Sequence, residues 1–207
     1  MPPPPRVRRR RAAPRPADDR WLEILERTAE IFAAKGYERT TVRDIADALG
    51  LLSGSLYYYI STKEDLLFAI IEAFHARGRE AMAALDEAAG PDPLATLRAV
   101  VVRHVELNAE TPVETAVFHT EFRRLAPERQ EGITRTRRDH EDRVTRLVER
   151  GQADGALRAD VPARVAALSA LAMLNATHTW FQPGRGLTAT ELGELQATLL
   201  LDGLRAR

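Results

Sequence analysis

Cysteine is absent from the 207-residue chain, which excludes a disulfide framework, a thiolate nucleophile and any cysteine-held metal or cluster. Long apolar runs are missing too. None approaches the roughly 20 residues that a bilayer-spanning helix needs, and the basic N-terminus leads into no apolar signal-peptide core. A cytoplasmic protein without a membrane partner is expected. Lysine occurs at Lys35 and Lys63 alone, so arginine carries almost all of the positive charge. The alternating runs and tight hairpin turns of strands are missing as well. There is no nucleophile motif, no glycine-rich phosphate loop and no HExxH. The acidic "DHED" at 139–142 sits on a charged helix, where a solvated face explains it. The chain does not read as an enzyme, and neither a metal nor a cofactor is expected.

What is present has the composition of an ordinary soluble protein, 44% hydrophobic and 29% charged. The net charge of zero hides an uneven layout. Arg6, Arg8, Arg9, Arg10, Arg11 and Arg15 crowd a stretch with no acidic residue, and the prolines at 2–5, 14 and 16 forbid a stable helix there. Residues 1–17 read as a disordered basic arm, either a solvated tail or a segment that touches DNA phosphates or the minor groove.

From Asp18 the pattern turns helical. Leu22, Leu25, Ala29 and Phe32 form one apolar row, and Trp21, Ile24, Thr28 and Ile31 a second beside it, up to a cap at Gly36. Thr41, three residues before Asp44, opens a short helix to about Leu49 that buries Val42, Ile45, Ala46 and Leu49. Aspartate reaches back less well than glutamate, so a half-made capping box is expected. "GLLSGS" at 50–55 breaks the chain, and Leu56 to Ile60 resumes a helical register, with Leu56 and Ile60 as core members. Two short helices about a glycine-containing break make a helix-turn-helix, about 41–60. Further helices are expected over 63–89, 94–110, 112–124, 127–154, 162–181 and 189–205, the last opened by a Thr188–Glu191 capping box. The fold class is all-α, with about nine helices.

"SLYYYISTKED" at 55–65 places Tyr57, Tyr58 and Tyr59 side by side. In a helix they fan over roughly 200° of surface, too wide for one buried stripe. At least one ring must face something other than the core.

Residues 21–74 resemble the DNA-binding domain of the TetR/AcrR family of transcriptional regulators. The likeness rests on "AEIFAAKG", "TTVRDIADALG", "GSLYYY" and "KEDLL" in that order and spacing. It implies an N-terminal three-helix DNA-binding domain, residues 18–64, followed by a larger helical ligand-binding and dimerisation domain, residues 65–207. By resemblance, "SGSLYYY" is a recognition helix in the major groove. Ser53, Ser55, Tyr57 and Tyr58 then contact base edges or phosphates, Gly54 permits close approach, and Tyr59 reaches a phosphate. Arg43 matches a position that reaches a base edge, where arginine donates two hydrogen bonds to guanine. Thr41 and Lys63 neutralise phosphates and set register. Plainer readings stand beside these: Tyr57 as a core tyrosine, Arg43 as a surface residue paired with Asp47. Leu52 departs from the family, which commonly has a capping serine there; leucine cannot accept the orphan amides.

The segments "FHTEFRRLAPERQEGITRTRRDHEDRVTRLVERGQADGALR" and "LAMLNATHTWFQPGRGLTATELGELQATLLLDGL" are similar to the C-terminal domains of members that sense acyl-CoA thioesters and related lipids. The resemblance implies a pocket, with His104, Asn108, Phe118, His119, Phe122, Asn175 and His178 as candidate lining residues. Arg123, Arg124, Arg135, Arg137 and Arg138 are either phosphate ligands for a CoA group or solvated helix faces. Small residues at 166, 167, 169, 170, 172 and 176, and leucines at 192, 195 and 199, mark the helices over about 162–205 as a homodimer interface or as ordinary intrachain packing. The function expected is that of a repressor released from a palindromic double-stranded DNA operator by a small-molecule effector. An activator, and a small-molecule sequestering protein without operator binding, are its rivals.

Overall fold

The structure, a computed structural model, describes residues 19–88 and 90–206. The basic arm lies outside the described residues. Among the described residues there are nine α-helices: α1 (Asp19–Lys35), α2 (Val42–Ala48), α3 (Ser53–Leu56), α4 (Lys63–Ala88), α5 (Pro93–Glu110), α6 (Pro112–Glu121), α7 (Pro127–Ala153), α8 (Ala163–Asn175) and α9 (Ala189–Leu204). They contain no strand; Leu157 and Arg205 form one isolated antiparallel bridge. The chain divides into two compact units between Leu67 and Phe68.

The first unit is a three-helix cluster. The inward face of α1 is Ile24, Leu25, Thr28, Ala29 and Phe32, and it meets Ile45, Ala46 and Leu49 of α2 and Leu56 and Ile60 of the third segment. Leu22, expected in the apolar row, is exposed: it lies at the edge of this stripe, on the Ala29 side, near the start of the helix. Gly36 closes α1 at φ 85°, a left-handed position that favours glycine. The box at the start of α2 is complete rather than half made. The Asp44 amide donates to Thr41 Oγ1 at 3.1 Å, and Asp44 Oδ2 accepts from the Thr41 amide at 2.7 Å and from Lys35 Nζ at 2.7 Å. Lys35 and the two Thr41 donors together hold the Asp44 carboxyl far below the usual carboxylate range.

In the second unit α5 is central, lying along α9 and also against α7. The core joins Leu97, Val100, Val101 and Val105 of α5 to Val144, Leu147 and Val148 of α7, Leu171 and Leu174 of α8, and Leu192, Ala197 and Leu201 of α9. The approach of α9 to α5 is close enough to require glycine. A Cβ on Gly193 would sit 2.8 Å from Val102 Cα. Helices end earlier than the periodicity predicts: α6 gives way to a 3₁₀ turn at Phe122–Arg124, and α8 to one at Ala176–Thr179. The second change has a local cause. Thr177 Oγ1, His178 Nδ1 and Thr179 Oγ1 each donate three residues back, to the carbonyls of Leu174, Asn175 and Ala176, and tighten the turn.

Candidate nucleic-acid interface and effector pocket

The segment after α2 settles the tyrosine problem. The regular helix begins at Ser53, three residues before the expected Leu56, and covers only Ser53–Leu56. The amides of Tyr58 and Tyr59 then bond to Ser55 and Leu56 in tighter turns. Leu56 and Ile60 point into the core, while Tyr57 is 51% and Tyr58 64% exposed, which removes the core reading of Tyr57. Tyr59 is half-buried. Its ring stacks on Trp21 at 6.2 Å and meets Tyr58 edge-on at 5.3 Å, so α1 and Tyr59 together support the ring of Tyr58. Leu52 occupies the N-cap with no side-chain hydrogen bond and is 81% exposed, so neither it nor Ser53 caps the helix.

The other expected contact residues differ in how free they are. Gly54 and Ser55 are exposed and Ser53 half-buried on α3, and Thr41 is exposed at the N-cap of α2. Arg43 is exposed, with Nε 3.7 Å from Asp47 Oδ2. Such a surface pair contributes roughly 0.3–0.5 kcal/mol and yields readily to a better partner. Lys63 is another matter. Its ammonium donates to Tyr37 O at 2.7 Å and Thr40 O at 2.8 Å, and lies 4.0 Å from the centre of the Tyr37 ring. Two of its three N–H groups are thus committed to the protein. Lys63 thus clamps the start of α4 to the turn leading into α2, with one N–H left for the expected phosphate.

The second unit encloses a cavity of about 310 Å³ between α4, α5, α6, α7 and α8. Phe74, Leu107, Phe118 and Leu171 supply apolar wall, and His75, His104, His119 and His140 face it with Asn108 and Asn175. His178 lies just behind, its ring stacked on His119 at 4.4 Å. All five histidines of the chain therefore gather at one place. Burial is the first cause that pushes His75, His104 and His140 down to about 4. The charges of Arg137 and Arg79 add to it for His75, and that of Arg143 for His140. His119 is also pushed down to about 4, by desolvation and by His178. At neutral pH these imidazoles are uncharged, each with one donor and one acceptor nitrogen.

Three of the arginines at the cavity are already paired: Arg77 with Glu114 at 3.2 Å, Arg79 with Glu72 at 2.9 Å, and Arg143 with Asp86 at 2.6 Å. Arg137 has no carboxylate partner among the described residues, and its guanidinium lies 5.6 Å from the centre of the Phe118 ring. It is the cation most open to a ligand.

Two family models match the chain in tandem. Residues 24–70 match "Bacterial regulatory proteins, tetR family" and residues 90–204, over half the chain, match "Tetracyclin repressor-like, C-terminal domain". The chain belongs to the TetR family. Among curated TetR-family proteins it is similar to the HTH-type transcriptional repressor KstR2 of Rhodococcus jostii, 32% identical over 202 residues, which is 92% of this chain and 97% of the relative. Among solved structures it resembles the ketosteroid transcriptional regulator KstR2 of Mycobacterium tuberculosis, with a TM-score of 0.86 and 26% identity over 95% of this chain and 100% of that one. It also resembles AibR in complex with isovaleryl coenzyme A and operator DNA, with a TM-score of 0.80 and 26% identity over 88% and 98%.

Within this TetR-family chain the cavity gathers five of the seven expected lining residues. Phe122 and His178 are not among its walls; each packs behind one, Phe122 against Phe118 and His178 against His119. Of the expected arginines only Arg137 reaches it. His75 and His140 were missed. A signal for His140 is present in α7, where it falls seven residues after Ile133 and four before Val144, on the buried row, so "DHED" is not simply a solvated face. The exposed side of the last helices includes Val165 and Leu168 of α8 and Leu195 and Leu199 of α9, the last 70% exposed, whereas Ala166, Ala167, Ala170 and Leu192 pack inward.

Proposed function

We propose that this TetR-family protein is a ligand-responsive transcriptional repressor that binds a palindromic operator as a homodimer and releases it when a small apolar effector enters the cavity of the second unit. The observation that carries the DNA half is the outward face of α3. Tyr57 and Tyr58 present large exposed rings beside the exposed Ser55 and Gly54, while Leu56 and Ile60 of the same segment are buried. Arg43, held only by a weak surface pair, stands on α2 as the candidate base reader, and Ser53 as a phosphate contact; Thr41 already gives both its amide and its hydroxyl hydrogen to Asp44. Tyr59, stacked on Trp21, positions Tyr58. Relatives named as repressors, and AibR solved with operator DNA, support the same reading.

The effector is proposed to be an acyl-CoA or a lipid-like compound. An apolar chamber with neutral imidazoles suits an acyl or alicyclic body, and Arg137 suits a phosphate or carboxylate; AibR was solved with isovaleryl coenzyme A. A differential affinity of a few kcal/mol between two states of the protein is enough to move operator occupancy by orders of magnitude. The exposed apolar residues of α8 and α9 are the proposed dimer surface, because two recognition segments must reach major grooves about 34 Å apart. Such a regulator works in the cytoplasm and needs no catalytic group.

Gel-shift titration against the DNA upstream of its own gene tests the reading. Sequence-specific binding is expected, weakened at least about tenfold by Arg43→Ala and by Tyr58→Ala with helix content unchanged. Binding that is absent at modest salt, or indifferent to sequence, refutes it.

A further inference from the structure

The inner wall of the cavity has a hydrogen-bonding pattern that specifies more than an apolar ligand. His104 and Asn108 stand one turn apart on α5, and Asn175 faces them from the end of α8. Asn108 is only 7% exposed, and its orientation is fixed. Its Nδ2 donates to Leu174 O at 3.3 Å and to Thr177 Oγ1 at 3.4 Å, and the Thr177 hydroxyl hydrogen is already committed to Leu174 O. The Asn108 oxygen is therefore turned away from these partners and accepts nothing from any described residue. Asn175 Oδ1 lies 3.1 Å from His104 Nε2. A carbonyl oxygen only accepts, so Nε2 carries the hydrogen and Nδ1 carries the lone pair. Asn175 Nδ2 is left as a donor without a partner among the described residues. None of these three open atoms is among the sealed, unsatisfied ones. The cavity wall thus offers two acceptors and one donor.

We infer that the end of the cavity formed by His104, Asn108 and Asn175 recognises a hydroxyl group on the effector. A hydroxyl donates one hydrogen, to Asn108 Oδ1 or His104 Nδ1, while its oxygen accepts from Asn175 Nδ2. A ligand carbonyl only accepts and leaves both acceptors bare; a methyl end leaves all three atoms desolvated, a cost of about 1–3 kcal/mol for each buried polar group stranded. Burial, which holds His104 at about 4, keeps its lone pair in place at neutral pH. Arg137 belongs to a different wall and is suited to the ligand's anionic part. The inference rests on reading the cavity as the effector site, and it names a polar feature that an acyl-CoA or lipid reading does not contain.

The test is isothermal titration of the full chain with two matched pairs: ω-hydroxydecanoyl-CoA against decanoyl-CoA, and ω-hydroxydecanoate against decanoate. The hydroxylated member is expected to bind at least about tenfold more tightly. His104→Phe and Asn175→Leu, which keep bulk while removing polar atoms, are expected to bring that ratio towards one from both sides: the hydroxylated member loses its partners, and the unhydroxylated member no longer strands them. Asn108 is left intact, since it also ties α5 to the end of α8. If the thioesters fail to bind while the free hydroxy acid is preferred, the CoA reading falls and the hydroxyl site stands. A ratio near one in both pairs, including the case in which no member binds, overturns the site. So does a preference that survives both substitutions.

Discussion

Lys63→Met separates two physical roles for a single lysine. Methionine keeps an unbranched stem to lie on the Tyr37 ring but removes the ammonium, and with it two hydrogen bonds of 2.7 and 2.8 Å and a cation–π contact. Hydrogen bonds from a charged donor contribute about 1.5–3 kcal/mol each, and the ring contact about 0.5–1. Several terms offset this. One ammonium serves both carbonyls, its removal also ends a partial desolvation, and Tyr37 O keeps the Thr40 amide at 3.2 Å. A net loss of about 2 kcal/mol remains. With a urea dependence of about 1 kcal/mol per molar for so small a unit, the midpoint of its unfolding falls by about 2 M. The chain has two tryptophans, Trp21 in the first unit and the exposed Trp180 in the second. Fluorescence in a Trp180→Phe background therefore reads the first unit alone. A lysine acting only on a phosphate predicts the opposite pair of results: an unmoved midpoint, and a slope of log affinity against log salt that falls by about 0.9. That outcome refutes the clamp.

Gly193→Ala is expected to destabilise by about 1–3 kcal/mol in urea unfolding. The clash with Val102 backbone, at 2.8 Å, outweighs the roughly 1 kcal/mol of helix propensity gained. Gly203→Ala, in the same helix with open space around the new methyl, is its control and should be neutral or stabilising; equal effects at the two sites would contradict the close packing. Acid should weaken the second unit. His75, His104 and His140 have folded values of about 4, below the ordinary 6.5, so the unfolded chain binds more protons in between. Their contribution is present above about pH 6.5 and is lost as pH falls towards 4, up to about 2 kcal/mol per imidazole between pH 7 and pH 5. Urea midpoints that do not change over that range would show the imidazoles to be solvated. Leu199→Glu, on the outward face of α9, is expected to shift sedimentation from dimer to monomer with helix content intact, and an unaltered dimer would place the interface elsewhere.

Much of this architecture could be read from local chemistry. Thr41 and Thr188 open helices through boxes formed within four residues, Gly36 closes α1, and prolines mark the first turns of α5, α6 and α7. Such signals act over one turn of chain and survive folding. What was missed has the opposite character. Lys63 was legible as a cation, but its partners are carbonyls 23 and 26 residues away, and backbone carbonyls leave no trace in a sequence. His75 and Phe122 changed places in the pocket because the rotation of α4 and the 3₁₀ ending of α6 decide which ring faces inward. The exposed tyrosines were legible for a further reason: a row of three tyrosines cannot all be buried, whatever packs against them.

The gathering of the histidines has a practical consequence. No imidazole lies outside the second unit, and each either lines one cavity or stacks on a ring that does. The imidazole region of the proton magnetic resonance spectrum is therefore a spectrum of the pocket alone. The Hε1 and Hδ2 resonances of the five imidazoles, in an unlabelled and unmodified protein, can report occupancy and charge as compounds are added, before any operator is known.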